Sequence, residues 1–156
     1  MKSVKKLMMA AMVGMMILGT VGCGGNKAKE ALGLPDTAYC SGYKTLEKSV
    51  ELIEQQDKLP SGKKSIAEDV ETAANNKIRK EWIPQIQDKA KSLGIKSFTV
   101  DIDESTGVLL VPADAPRKFC GCLIGSAKAD GDKVDFIVDI EVMVLQDGSV
   151  SYEFKK

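Results

Sequence analysis

Apolar positions change their period along the chain, and the changes divide it into regions. Leu7 to Val21 is an uncharged, largely apolar run behind a start that carries Lys2, Lys5 and Lys6. Further on, Tyr39, Tyr43, Leu46, Val50 and Ile53 recur at alternating steps of four and three. That spacing lays one apolar stripe along a helix and predicts an amphipathic helix over 37–57. Asp36 or Thr37 can cap it after Pro35, and Leu59-Pro60-Ser61-Gly62 ends it. Ser65 and Glu68 form a capping-box pattern that predicts the start of a second helix, with Ile66, Val70, Ala73, Ala74 and Ile78 on its buried face. Pro84 has no N–H for the carbonyl of Lys80, so this helix must stop or kink near Trp82 and Ile83. A further turn or two carrying Ile86, Ala90 and Leu93 ends at Gly94, and Trp82 reads as a core aromatic.

From Ser97 the period becomes two. Phe98, Val100 and Ile102 alternate with polar residues, and Glu104-Ser105-Thr106-Gly107 turns the chain into Val108–Val111. Three more strands are expected, Phe119–Ala127, Val134–Leu145 and Ser149–Phe154, with Asp130-Gly131 and Asp147-Gly148 as hairpin turns. In the last hairpin, a three-residue loop with Gly148 as a left-handed bulge sets Val150, Tyr152 and Phe154 opposite Val144, Val142 and Ile140. That register keeps an unbroken apolar set on one face, and it is preferred over the two-residue turn. For Asp130-Gly131 the loop length stays open, and with it the face taken by Cys120 and Cys122. The expected fold is α+β: two N-terminal helices, the second kinked at a proline, packed on one face of a four- to five-stranded antiparallel β-meander.

The chain's opening is a basic start, a short apolar core and small residues, the pattern of a secretory signal peptide. Fifteen apolar residues are too few for a membrane span, which takes roughly 18 or more. The ending Leu18-Gly19-Thr20-Val21-Gly22-Cys23 resembles the lipobox of bacterial lipoproteins. The resemblance implies a diacylglyceryl group on the sulfur of Cys23, cleavage before it and acylation, commonly with palmitate, of the new N-terminus. Two or three acyl chains suffice for stable anchoring. Gly24 is not the aspartate that this family uses for inner-membrane retention, so in a cell with two membranes the implied destination is the outer one. The domain layout is then signal peptide 1–22, lipidated Cys23 with a flexible tether 23–36, and a single α+β domain 37–156. This order of parts resembles the small lipoprotein of the outer-membrane barrel-assembly machinery in layout alone, so no function is carried over.

Removal of the signal leaves 134 residues, enough for one domain, with 19 basic and 22 acidic residues and a net charge of −3. No basic excess is available for nucleic acid. The absence of histidine excludes Ser-His-Asp and Cys-His nucleophiles and histidine metal ligands. No paired-acid or Gly-rich phosphate motif replaces it, so no catalytic residue and no cofactor is expected. Beyond Cys23 the chemistry-bearing candidates are Cys40, Cys120 and Cys122. The exported compartment favours a bridge from Cys40 to one of the pair, with the third thiol free or joined to a partner. A bridge between Cys120 and Cys122 would be strained in a strand, and a metal site without histidine or C-x-x-C is disfavoured. The acidic stretch 101–107 fails the EF-hand template and reads as a solvated hairpin loop.

These residues together point to a membrane-anchored envelope lipoprotein that binds or scaffolds and is not an enzyme. Its partners would be the membrane, through Cys23, and an envelope protein. The alternative is a thiol-dependent redox or metal-handling protein using the C-G-C strand.

Overall fold

A computed structural model describes residues 26–102 and 107–155. Cys23, the signal stretch and the 103–106 part of the acidic stretch lie outside these residues. Helices precede a five-stranded antiparallel sheet, an α+β arrangement as expected. The segment read as a tether is different: Asn26–Leu32 forms a helix, α1. Ala28 and Ala31 are fully buried, Leu32 is 2% exposed, and Leu34 follows them into the core. Seven residues cannot hold a helix alone in water, so this one exists through its packing. Gly33, at φ +64°, closes it by donating its N–H to the Lys29 carbonyl. The folded domain therefore already includes Asn26 and does not begin at 37.

A 3-10 turn, Asp36–Ala38, leads to helix α2, Gly42–Asp57, whose cap is Ser41 and neither Asp36 nor Thr37. The predicted apolar stripe of α2 is only partly its buried face: Ile53 is buried and Leu46 half-buried. Tyr43 and Val50 are 70% and 42% exposed, while Gly42, Thr45, Ser49, Leu52 and Ile53 are buried. Thr45 and Ser49 can be buried because their hydroxyls donate to the carbonyls of Ser41 and Thr45. Helix α3, Ser61–Lys77, starts directly after Pro60, four residues before the capping-box pattern, which leaves Ile66 exposed. Its buried side is Ala67, Val70, Glu71, Ala74 and Asn75. A π-helical turn, Ile78–Trp82, precedes helix α4, Ile83–Ser92, and Pro84 falls at the start of α4, where its missing N–H costs least. Gly94, at φ +79°, ends α4: its N–H bonds Lys91, and that of Ile95 bonds Ala90, the paired bonds of a Schellman motif.

Strands β1 (Phe98–Asp101), β2 (Val108–Pro112), β3 (Lys118–Ala129), β4 (Asp132–Val144) and β5 (Val150–Phe154) complete the chain. β1 and β2 do not form a hairpin. Both pair with β3, β1 with its end and β2 with its beginning, so they lie one after the other along a single edge. Asp130 (φ 51°) and Gly131 (φ 94°) make a two-residue turn that sets Phe119, Gly121 and Leu123 opposite Val142, Ile140 and Val138. The last hairpin takes the preferred register, Val150, Tyr152 and Phe154 opposite Val144, Val142 and Ile140, with Gly148 at φ 88°.

Helices cover both faces of the sheet, not one. The inner face, with Val108, Leu110, Phe119, Leu123, Phe136 and Ile140, packs on α1, α3 and α4. The outer face, with Leu109, Cys122, Ile124 and Ile137, packs on Leu52 and Ile53 of α2. The sheet curls about α3, which touches both β2 and β5. Trp82 fills the core beside it as expected, 6.2 Å edge-on from Phe136 and 5.1 Å from Phe154. Along the open edge of β2, Glu71 accepts from the N–H of Leu110 at 3.0 Å, and Asn75 accepts from that of Val108 at 3.4 Å. Gln56 of α2 donates to the Leu110 carbonyl at 2.7 Å and also to Glu71. Three side chains thus satisfy backbone groups that would otherwise be an unpaired strand edge.

Candidate functional site: a groove beneath α2

The two-residue turn at Asp130-Gly131 decides the face of the cysteines. With Phe119, Gly121 and Leu123 turned inward, Cys120 and Cys122 point outward, beneath α2. The same alternation brings Asp139 opposite Cys122 and Glu141 opposite Cys120. From above, α2 turns Gly42, Thr45 and Ser49 inward, and Lys48, on the turn between them, reaches down to pair with Asp139. Both partners keep about half their side-chain surface in solvent, 41% for Lys48 and 56% for Asp139.

This ion pair stands between two cavities that share Lys48, Asp139 and Lys155 in their walls. One, of about 250 Å³, is completed by Thr37, Ala38, Cys40 and Lys44. The other, of about 460 Å³, is completed by Leu52, Val111, Lys118, Cys120 and Glu141, among others. Glu141 binds Lys118 at 2.6 Å and also Lys155. Around an apolar floor the groove therefore carries Lys44, Lys48, Lys118 and Lys155 against Asp139 and Glu141, a cationic surplus.

Partial burial acts to lower the Lys48 pKa, but the hydrogen bond and charge of Asp139 outweigh it, and the net shift is upward. Lys48 is consequently charged at neutral pH. Burial pushes the thiol of Cys122 far above its ordinary range, against the opposing pull of Lys48, and it raises Cys40 in the same way. Both are poor thiolates.

The structure treats the three candidate cysteines differently. All are free thiols. Cys122 is buried, and Cys40 is half-buried against the cluster that contains it, its sulfur 3.7 Å from the Thr37 carbonyl oxygen. Cys120 is exposed and opens into the larger cavity. The outer face thus brings Cys40 and Cys122 into one neighbourhood without a bond between them. Among the described residues, no three Cys, Asp or Glu side chains are arranged to hold a metal ion. Cys23 lies outside those residues.

Lys48, Asp139 and Glu141 carry the electrostatics of the groove, and sequence reasoning passed over them. The alternation in Val138-Asp139-Ile140-Glu141-Val142 is the signal that could have found the two acids, but nothing in the sequence marks α2 as the cover of that face. One further outward residue is anomalous. Asp135, opposite Ser126, is buried with neither carboxylate oxygen hydrogen-bonded, its nearest cation being Lys133 at 4.0 Å. Burial raises its pKa, and Lys133 only partly opposes that.

No family model, curated protein or solved structure matches the chain. Among the described residues, no helix is long and apolar enough to cross a membrane.

Proposed function

We propose that the protein is a lipid-anchored envelope module that binds rather than catalyses, and that its binding site is the groove beneath α2. The anchor rests on the resemblance of the sequence around Cys23 to a lipobox, and an outer-membrane location rests on Gly24. The binding reading rests on one observation: the Lys48–Asp139 pair divides an apolar-floored groove whose walls hold four lysines and two carboxylates. A ligand that fits such walls has an anionic group on an apolar body. The larger cavity, about 460 Å³, is of the size that small ligands occupy. An acidic and apolar segment of an envelope protein partner would present the same chemistry.

The thiol-dependent alternative draws on Cys40, Cys120 and Cys122 around the same ion pair. It has less support, since redox-active cysteines owe their reactivity to a lowered pKa, and the burial of Cys40 and Cys122 acts the other way.

The test is native mass spectrometry of the lipidated protein, drawn from its own membrane in mild detergent, beside a Lys48→Glu/Lys155→Glu variant. The wild type should carry a non-covalent adduct that the variant loses, and the adduct's mass tells a small molecule from a protein. Identical spectra for the two would overturn the groove as the site.

A further inference from the structure

With α1 inside the folded domain, little chain remains between it and the lipid. Three residue steps separate Cys23 from Asn26, at most about 10 Å when fully extended. On the lipid-anchor reading the bilayer surface passes that close to the start of α1, and the exposed side chains around α1 lie nearest the headgroups.

Those side chains are basic. α1 packs on α4. Lys89 brings its ammonium to the C-terminal end of α1, where a Cβ added to Gly33 would lie 3.4 Å from it. Lys29 sits 5.0 Å over the ring of Tyr39. Lys27, Lys91 and Lys96 are exposed around them. Stretches 26–38 and 83–97 hold five lysines against Glu30, Asp36 and Asp88, and the Asp130 carboxylate joins them by accepting from the Lys96 and Ser97 N–H groups. Everything else in the chain from Cys23 onward holds 14 basic and 18 acidic residues. The domain is therefore positive where it is nearest the anchor and negative elsewhere.

Resting on the lipid-anchor reading, we infer that the surface formed by α1, the C-terminal end of α4 and Lys96 docks on an anionic lipid surface. Three features favour this occupant: the short reach of the anchor, the segregation of charge and the attraction of anionic headgroups for clustered lysines. The acidic remainder of the domain is repelled by the same surface, so attraction and repulsion select one orientation. The groove beneath α2 lies on the opposite face of the sheet from α1 and α4 and stays accessible in that pose.

The experiment uses the full mature lipoprotein reconstituted into vesicles of phosphatidylcholine alone, or of phosphatidylcholine with phosphatidylglycerol, and pulse-acetylates its lysines. Lys27, Lys91 and Lys96 should acetylate at least about threefold more slowly on the anionic vesicles, and high salt should remove the difference. Lys58, Lys63 and Lys80, exposed elsewhere, should not change. A Lys27→Glu/Lys91→Glu/Lys96→Glu variant should lose the remaining protection along α1 and α4, while Lys58→Glu/Lys63→Glu/Lys80→Glu should keep it. Equal rates on both vesicle types, or equal protection of Lys58, Lys63 and Lys80, would overturn the docking surface. The intact mass of the same sample reports the anchor separately: a protein without acyl chains contradicts the lipoprotein reading, whereas an acylated protein with unprotected lysines contradicts only the docking.

Discussion

On the inner face of the sheet, Phe119, Leu123, Phe136, Ile140 and Val142 are buried against three helices, and Trp82 locks against two aromatic rings. One residue away along the same strands, the outer face carries Cys120, Cys122, Asp135, Asp139 and Glu141, and a single helix covers part of it through Leu52 and Ile53. Neighbouring residues thus serve a packed core on one side and a half-open, charged groove on the other. The curl of the sheet about α3 makes the division workable. Most of the hydrophobic stabilisation is concentrated inside, so the outer face can hold ionic pairs, cavities and thiols that a core would not tolerate.

Adjacent residues on β4 test the contrast most strongly. Phe136→Ala should lose about 4 kcal/mol of stability in urea unfolding, while Ile137→Ala on the outer face should lose about 2 kcal/mol. Equal losses would erase the distinction. Next in size is Glu71→Ala, which leaves the Leu110 N–H and the Gln56 amide short of an acceptor in a buried place. A loss of about 3 kcal/mol is expected, with hydrogen exchange accelerated first at Leu110.

Asp135→Asn should act in the opposite direction. The folded pKa lies above the unfolded value, so folding penalises the charged carboxylate at every pH above the folded pKa, and the penalty disappears as the pH falls towards 3.8. The substitution should therefore raise stability by about 1 kcal/mol at neutral pH, with the gain fading on acidification. A loss at neutral pH would show that Asp135 has a partner.

The smallest effect belongs to Lys48→Met. Half in solvent, the pair with Asp139 should contribute under about 1 kcal/mol, less at high salt. Because the Lys48 pKa is raised on folding, that contribution is complete below pH 10.5 and is lost as the pH climbs through the folded pKa. A small cost in stability beside a large loss of binding would mark Lys48 as a residue of the site rather than of the fold.

How much of this was legible follows from which signals were local. The strands and the last hairpin register were readable, since period two and Asp-Gly turns are written within a few residues. Cys120 and Cys122 were assigned to one face correctly for the same reason. The helix faces were readable in part: Val70, Ala74, Ile78, Ile86 and Ala90 are buried as expected, whereas the face of α2 was misjudged. α2 packs on the sheet through Leu52 and Ile53 and also buries Gly42, Thr45 and Ser49, which carry no hydrophobic signal, while Tyr43 and Val50 face solvent, so apolar periodicity marked only part of the buried side. α1 was missed because a seven-residue, alanine-containing helix is stable only in contact with the rest of the domain. The supposed hairpin between β1 and β2 failed because both strands found their partner in β3. The groove required all of these long-range choices at once, and so its charged residues went unremarked.

The central claim is that the groove beneath α2 is occupied in the protein's own setting, and its native thiols can report on this. Cys40 lines one cavity and Cys120 the other, while Cys122 is buried beneath α2. The measurement is the rate of alkylation at each cysteine, in intact envelopes and in the purified, ligand-stripped protein. Occupancy predicts that Cys40 and Cys120 react more slowly in the envelope and speed up on purification, with Cys122 slow in both. Unchanged rates at Cys40 and Cys120 would contradict the claim.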